Sequence, residues 1–140
     1  MANENWCMIG YHSVSVLADA VAKGLPLDKE EVLKAMVSSS TIPYLDGTGE
    51  YMEKGYVALD HNGSAASLTL EYAYDDWTIY HTALLAGNRS VADTYKKRAA
   101  NYTNVFDTNM GYARPRYADG RWKENFNLLN THGEGFIEGN

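Results

Sequence analysis

Apolar residues recur at helical spacing through the first two thirds of the chain and lose that rhythm beyond Asp107. From Ser13 to Lys23 the run Ser-Val-Ser-Val-Leu-Ala-Asp-Ala-Val-Ala-Lys ends at Gly24 with Pro26 close behind, a combination that stops a helix. The Ser-Val alternation at its start also fits a strand, and the stop signal tips the reading to helix. Asp28 is placed to cap a second helix, with Glu31 three residues on and Leu27 set to staple against Val32. Val32, Leu33, Met36 and Val37 form one apolar stripe opposite Lys29, Glu30 and Lys34. Ser38-Ser39-Ser40 is expected to let this helix fray before Ile42-Pro43 ends it. Residues 41–63 carry Gly47, Gly49, Gly55 and Gly63 among several tyrosines and read as a long structured loop.

Ser64 opens the longest predicted helix, Ala65 to about Ala86, closed by Gly87. Its Leu68, Leu70, Tyr72, Tyr74, Trp77, Ile79, Tyr80 and Leu84 point around the whole circumference, which requires neighbours on more than one face. Ser90, with Asp93 three residues later, is read as the start of a further helix to about Phe106. Val91, Tyr95, Ala99, Tyr102 and Phe106 would make its apolar side, with Lys96, Lys97 and Arg98 mostly outward. One-sided and all-round helices in succession suggest two layers, the logic of a toroid built from inner and outer helices. The predicted fold class is mainly all-α: a partial (α/α)6 toroid of roughly two inner/outer hairpins followed by a long irregular C-terminal segment, with residues 1–140 as one piece of one such domain.

Composition narrows the function classes. The 140 residues carry 12 Lys and Arg against 18 Asp and Glu, a formal net charge of −6, and no basic run longer than Lys96-Lys97-Arg98. A phosphate backbone would be repelled, so nucleic acid is not an expected partner. No apolar run approaches the ~20 residues that span a bilayer, and Met1-Ala2-Asn3-Glu4-Asn5 lacks the basic start of a secretory signal. Cys7 stands alone, which excludes an internal disulfide or a multi-Cys zinc site. The 11 Tyr and 3 Trp are a heavy aromatic load, suited to a thick core or to a pocket for a flat, polar-rimmed ligand such as a sugar.

Three groups could carry chemistry. Glu138 lies in Gly133-Glu134-Gly135-Phe136-Ile137-Glu138-Gly139-Asn140. Glycines there permit close backbone approach, and apolar neighbours can hold a carboxyl protonated as a general acid requires. By spacing alone Glu134 competes with it, and a solvated tail is the bland alternative. Asp75-Asp76-Trp77 sits within the most apolar helix, where adjacent carboxylates diverge and cannot form a catalytic pair by themselves. One of the two is expected to point inward, where a buried Asp needs a loop amide or an Arg as partner; the functional alternative is a sugar-hydroxyl acceptor beside a stacking indole. His12, His61, His81 and His132 show no zinc spacing, and Arg114-Pro115-Arg116 is read as pairing carboxylates within the fold.

Several strings together resemble the bacterial α-mannosidases of glycoside hydrolase family 92. They are Gly10-Tyr11-His12-Ser13-Val14-Ser15-Val16-Leu17-Ala18-Asp19-Ala20 with Lys23-Gly24, Tyr51-Met52-Glu53-Lys54-Gly55-Tyr56-Val57, Leu70-Glu71-Tyr72-Ala73-Tyr74-Asp75-Asp76-Trp77, Gly111-Tyr112-Ala113-Arg114-Pro115-Arg116 and Phe136-Ile137-Glu138-Gly139-Asn140. The resemblance implies an exo-acting, inverting, calcium-dependent α-mannosidase on an (α/α)6 toroid, with α-1,2-linked mannose-containing glycans as substrates. It makes Glu138 the general acid, sets Asn140 beside the bound sugar or its calcium shell, and draws His12, Asp76 and Trp77 in as substrate-binding candidates.

The second carboxylate that inverting chemistry needs, the N-terminal β-sandwich and most calcium ligands of the family have no counterpart in these strings, and no metal ligand is assigned here. The chain is therefore expected to be a piece of a larger enzyme, without hydrolase activity alone and with cut faces that drive self-association. Export to a periplasm or cell surface is implied by the family only. Two rival readings stand beside this one: another toroidal carbohydrate-active enzyme, and a non-catalytic helical scaffold or carbohydrate-binding module.

Overall fold

A computed structural model describes residues 9–129 and 133–137. Five α-helices run in chain order: α1 Ser13–Ala22, α2 Lys29–Ser39, α3 Thr48–Lys54, α4 Ala65–Leu85 and α5 Arg89–Ala99. A 3-10 turn, Ala100–Val105, continues α5. Two short strands follow, β1 Phe106–Asp107 and β2 Tyr112–Ala113, paired antiparallel with Phe106 opposite Ala113. Among the described residues no helix is long and apolar enough to cross a membrane.

The hairpins α1–α2 and α4–α5 realise the predicted mainly helical fold, and α4 is the element that α1, α2, α5 and the 3-10 turn all contact. Its Leu68, Tyr72, Ile79 and Ala83 lie in one core with Val14 and Val21 of α1, Leu33 and Met36 of α2 and Ala92 and Tyr95 of α5. A smaller cluster of Tyr56, Ala58 and Val105 sits beside it. Each of these side chains removes apolar surface from water at roughly 25 cal/mol per Å², which is what fixes the helix faces.

Local chemistry sets the boundaries. Asp28 caps α2 as expected, accepting from the amides of Glu30 and Glu31 at 2.9 and 3.2 Å. The serines after it do not fray: Ser39 and Ser40 turn their hydroxyls back onto the carbonyls of Ala35 and Val37, and helical hydrogen bonding continues to Ser40. The presumed long loop contains α3, bracketed by Gly47 and Gly55 at φ +77° and +79°, backbone that side-chain-bearing residues rarely adopt. α5 is capped by Asn88, which accepts from Val91 N, so Ser90 lies inside the helix.

Tightening to three residues per turn after Ala99 rotates the apolar stripe away from its predicted line. Tyr102 and Phe106 are consequently exposed, and Val105 is buried in their place. Arg98 also departs from expectation. Three residues after the buried Tyr95, it turns inward, against the reading of Lys96-Lys97-Arg98 as an outward run.

Beyond β2, Arg114 pairs with Asp107 at 2.9 Å as foreseen and also donates to the carbonyl of Lys123. Arg116 holds carbonyls instead of carboxylates, those of Gly120 and Asn104, and lies over the rings of Tyr56 and Trp122. The chain then returns to the start of α4. Gly135 O accepts from Ala66 N and Ser67 N at 2.9 and 3.2 Å, and Gly135 N donates to Gly63 O. Two of the amides left open at that helix start are thereby satisfied by backbone, in place of a Ser64 side-chain cap.

Candidate functional site

The side chains of the Asp75–Asp76 pair are fully buried, and each finds a different partner set. Successive residues on a helix are about 100° apart, so the two carboxylates leave α4 in different directions. Asp76 Oδ1 accepts from the Tyr11 hydroxyl at 2.7 Å, and Oδ2 from the Tyr51 hydroxyl at 2.8 Å and from Arg98 Nε at 2.9 Å. A second guanidinium nitrogen of Arg98 donates to the Tyr11 hydroxyl and to Ser40 O. Tyr11 stacks on Tyr72 with ring centroids 5.0 Å apart. This network joins the start of α1, the end of α2, α3, α4 and α5 around one ion pair.

Asp75 meets the loop before α1. Its Oδ2 accepts from Tyr11 N at 2.8 Å, and its Oδ1 faces His12 Nδ1 at 2.9 Å. The other ring nitrogen, Nε2, lies 3.3 Å from Glu71 Oε2, so the imidazole sits between a buried and a half-exposed carboxylate. Gly10, at φ +107°, makes the close approach possible. A Cβ there would stand 3.0 Å from Asp75 Oδ2 and 3.2 Å from the His12 ring.

Electrostatics follow from this packing. Burial pushes the Asp75 carboxyl up to about 6, against the opposing pull of His12 and the Tyr11 amide. Burial also raises Asp76, while Arg98 and the Tyr11 and Tyr51 hydroxyls draw it back. Burial and the neighbouring Asp76 charge raise Tyr11 and Tyr51, which keeps both hydroxyls protonated as donors.

The alternatives left open for the pair resolve toward the amide and the Arg: Asp75 takes the loop amide and Asp76 the guanidinium. The sequence reading missed Tyr11, Tyr51 and Arg98 as a unit. The usable signal was Arg98 at the flank of the Val91–Tyr95 stripe, the cation a buried carboxylate requires.

Of the residues singled out for sugar binding, His12 is partly exposed and committed to two carboxylates, and Asp76 has no exposed surface. Trp77 is half-exposed, near-parallel to Tyr74 with centroids 6.3 Å apart and edge-on to His81 at 4.4 Å. Leu84 and Leu85 prolong this uncovered stripe, so among the described residues α4 is covered around most of its circumference and open along this one line. Glu138 and Asn140, with Cys7 and His132, lie outside the described residues. Glu134 accepts from Asn127 N at 3.2 Å and lies 4.0 Å from Lys123 Nζ. Among the described residues no group of three or more His, Cys, Asp or Glu is placed to hold a metal ion.

The catalytic-domain profile of glycosyl hydrolase family 92 matches residues 1–140. A family GH92 α-mannosidase from Bacteroides thetaiotaomicron superposes with a TM-score of 0.90 at 38% identity, over 98% of this chain and 19% of that chain. Its structure in complex with mannoimidazole gives 0.89 at 38% identity, with the same coverage. An inverting mannosidase of the family from Bacteroides thetaiotaomicron VPI-5482 gives 0.87 at 36% identity, over 98% of this chain and 20% of that one. The chain thus spans about a fifth of the length of these structures. No curated protein matches it significantly.

Proposed function

Because the chain belongs to glycosyl hydrolase family 92, we propose that it is part of the catalytic domain of an exo-acting, inverting α-mannosidase, with Glu138 as the general acid. The observation that carries this reading is the 38% identity sustained over 98% of the chain to an α-mannosidase that has also been captured with mannoimidazole. In the proposed reaction the Glu138 carboxyl protonates the departing glycosidic oxygen, and Asn140 contacts the terminal mannose. A second carboxylate, roughly 6.5–9.5 Å across the sugar, would activate the attacking water. Neither Asp75 nor Asp76 suits that task, since both are enclosed and saturated by internal donors. In this reading the base and most of the family's calcium shell are supplied by parts of a larger protein outside this chain.

In this reading the chain alone does not turn over mannosides. Trp77 offers the one exposed indole face on α4 for a sugar ring, while Asp76 and His12 act by holding α1 and α4 in register. Terminal α-1,2-linked mannose of glycans is the proposed substrate, and export to a bacterial periplasm or cell surface accompanies it. The exposed stripe of Tyr74, Trp77, Leu84 and Leu85 supports self-association of the isolated chain, read by light scattering as a mass that rises with concentration.

The test replaces Glu138 by Gln in the full-length protein. Hydrolysis of an α-1,2-mannobiose should fall by about 100-fold or more, the range general-acid catalysis supplies, while an activated aryl mannoside is largely spared. Unchanged turnover of the mannobiose refutes the assignment.

A further inference from the structure

The approach to position 138 is fixed more tightly than a C-terminal tail requires. Phe136 is buried against Phe126, with ring centroids 5.9 Å apart, and closes a tight turn with Gly133 through reciprocal backbone hydrogen bonds of 3.0 and 2.9 Å. Gly135 bonds the start of α4 through both its N–H and its carbonyl. At φ +98° it also presses against Pro115, where a Cβ would come within 2.3 Å of Cγ. The last anchor is a side chain: Ser67 Oγ accepts from Ile137 N at 3.1 Å. The Ile137 N–H lies in the Phe136–Ile137 peptide plane, so this hydrogen bond fixes the plane one residue before Glu138, to which Ile137 is covalently joined.

We propose that Ser67 is a positioning residue for the general acid: its hydroxyl, held on the first turn of the 21-residue α4, fixes the Ile137 amide and with it the backbone that presents Glu138 to the glycosidic oxygen. The inference rests on the general-acid reading of Glu138. The helix supplies rigidity that a loop lacks, because Ser67 N is itself tied to Gly135 O, closing a small ring of hydrogen bonds around the anchor. Removal of the hydroxyl leaves the rest of the segment in place and frees only its last fixed point. A displacement of about 1 Å at a reacting group can cost up to 100-fold in rate, so a local loosening is readable in kinetics.

The experiment uses the full-length protein that carries this segment, with Ser67→Ala, Ser67→Thr and Glu138→Gln compared on two substrates. An α-mannobiose needs a proton on its leaving group; a dinitrophenyl α-mannoside does not. Ser67→Ala should lower kcat/KM on the mannobiose by about tenfold and on the aryl mannoside by less than about twofold, and Ser67→Thr should restore most of the loss. If Ser67→Ala does not fold, Ser67→Cys, whose sulfur is a weaker acceptor, should show the same split at smaller size.

Equal losses on both substrates, or no loss on either, overturn the positioning role when Glu138→Gln itself shows the split. If Glu138→Gln shows no split, the acid assignment fails and the role of Ser67 falls with it.

Discussion

Asp75 and Asp76 are neighbours in sequence, equally buried, and neutralised by opposite strategies. Asp76 faces a guanidinium that never deprotonates, braced by two phenols whose own ionisation burial suppresses. Asp75 faces an imidazole that solvent partly reaches and that a second carboxylate shares. The Asp76 side of α4 is therefore a joint between five elements built on a lasting cation, and the Asp75 side a joint built on a loop amide and an imidazole that solvent reaches. One step along a helix is enough to separate the two kinds of partner.

The contrast is broken most severely at Arg98. Arg98→Ala leaves the Asp76 carboxylate buried without its cation, and the stability of the chain in urea unfolding should fall by about 3–5 kcal/mol. His12→Ala should cost less, about 1–2 kcal/mol in the same assay, since Asp75 keeps the Tyr11 amide and water can reach the vacated place.

The pH response sharpens the comparison further. Asp75 holds a proton in the folded chain up to about pH 6, whereas the unfolded chain releases it near 3.8. Its contribution is thus fully present below pH 3.8 and is lost as pH rises through about 6. Glu50 and Asp107, held low by their partners, run the other way, and their stabilisation is lost as pH falls. Subtracting the urea-unfolding free energies of Asp75→Asn from those of the parent chain, pH by pH, should leave a difference that declines between about pH 4 and pH 6. A flat difference would show that the Asp75 carboxyl keeps its ordinary acidity despite its burial. The smallest effect is expected on the uncovered side of α4, where Trp77→Ala should change stability by less than about 0.5 kcal/mol.

The sequence made one half of this arrangement legible. Helix stops and caps at Gly24, Asp28 and Gly87 are local chemistry, and they predicted α1, α2 and α4 nearly to the residue. Burial of one aspartate followed from its place in an apolar helix, and the need for an amide or an Arg from the cost of burying a carboxylate; that both are buried did not follow.

The identity of the partners did not follow. Tyr11 lies 65 residues from Asp76 and Arg98 lies 22 residues away, and periodicity carries no information about contacts across such distances. Periodicity misled outright where the helix changed pitch. A stripe written at spacings of four, four, three and four through Phe106 assumes 3.6 residues per turn, and the 3-10 segment after Ala99 does not keep it. The glycine-rich stretch hid α3 for a related reason: its glycines end that helix on both sides instead of dissolving it. At the proposed catalytic position, the ordered strings and not the spacing singled out Glu138 over Glu134.

The bond between α4 and the Gly135–Ile137 segment carries a consequence for biosynthesis. Ser67 and its first-turn amides must wait for partners 70 residues downstream. At ribosomal speeds of about 5–20 residues per second, that is an interval of roughly 4–14 s during which water alone can occupy those amides. The longest helix among the described residues leaves the ribosome with its leading end unsealed and is closed only when the Gly135–Ile137 segment follows it.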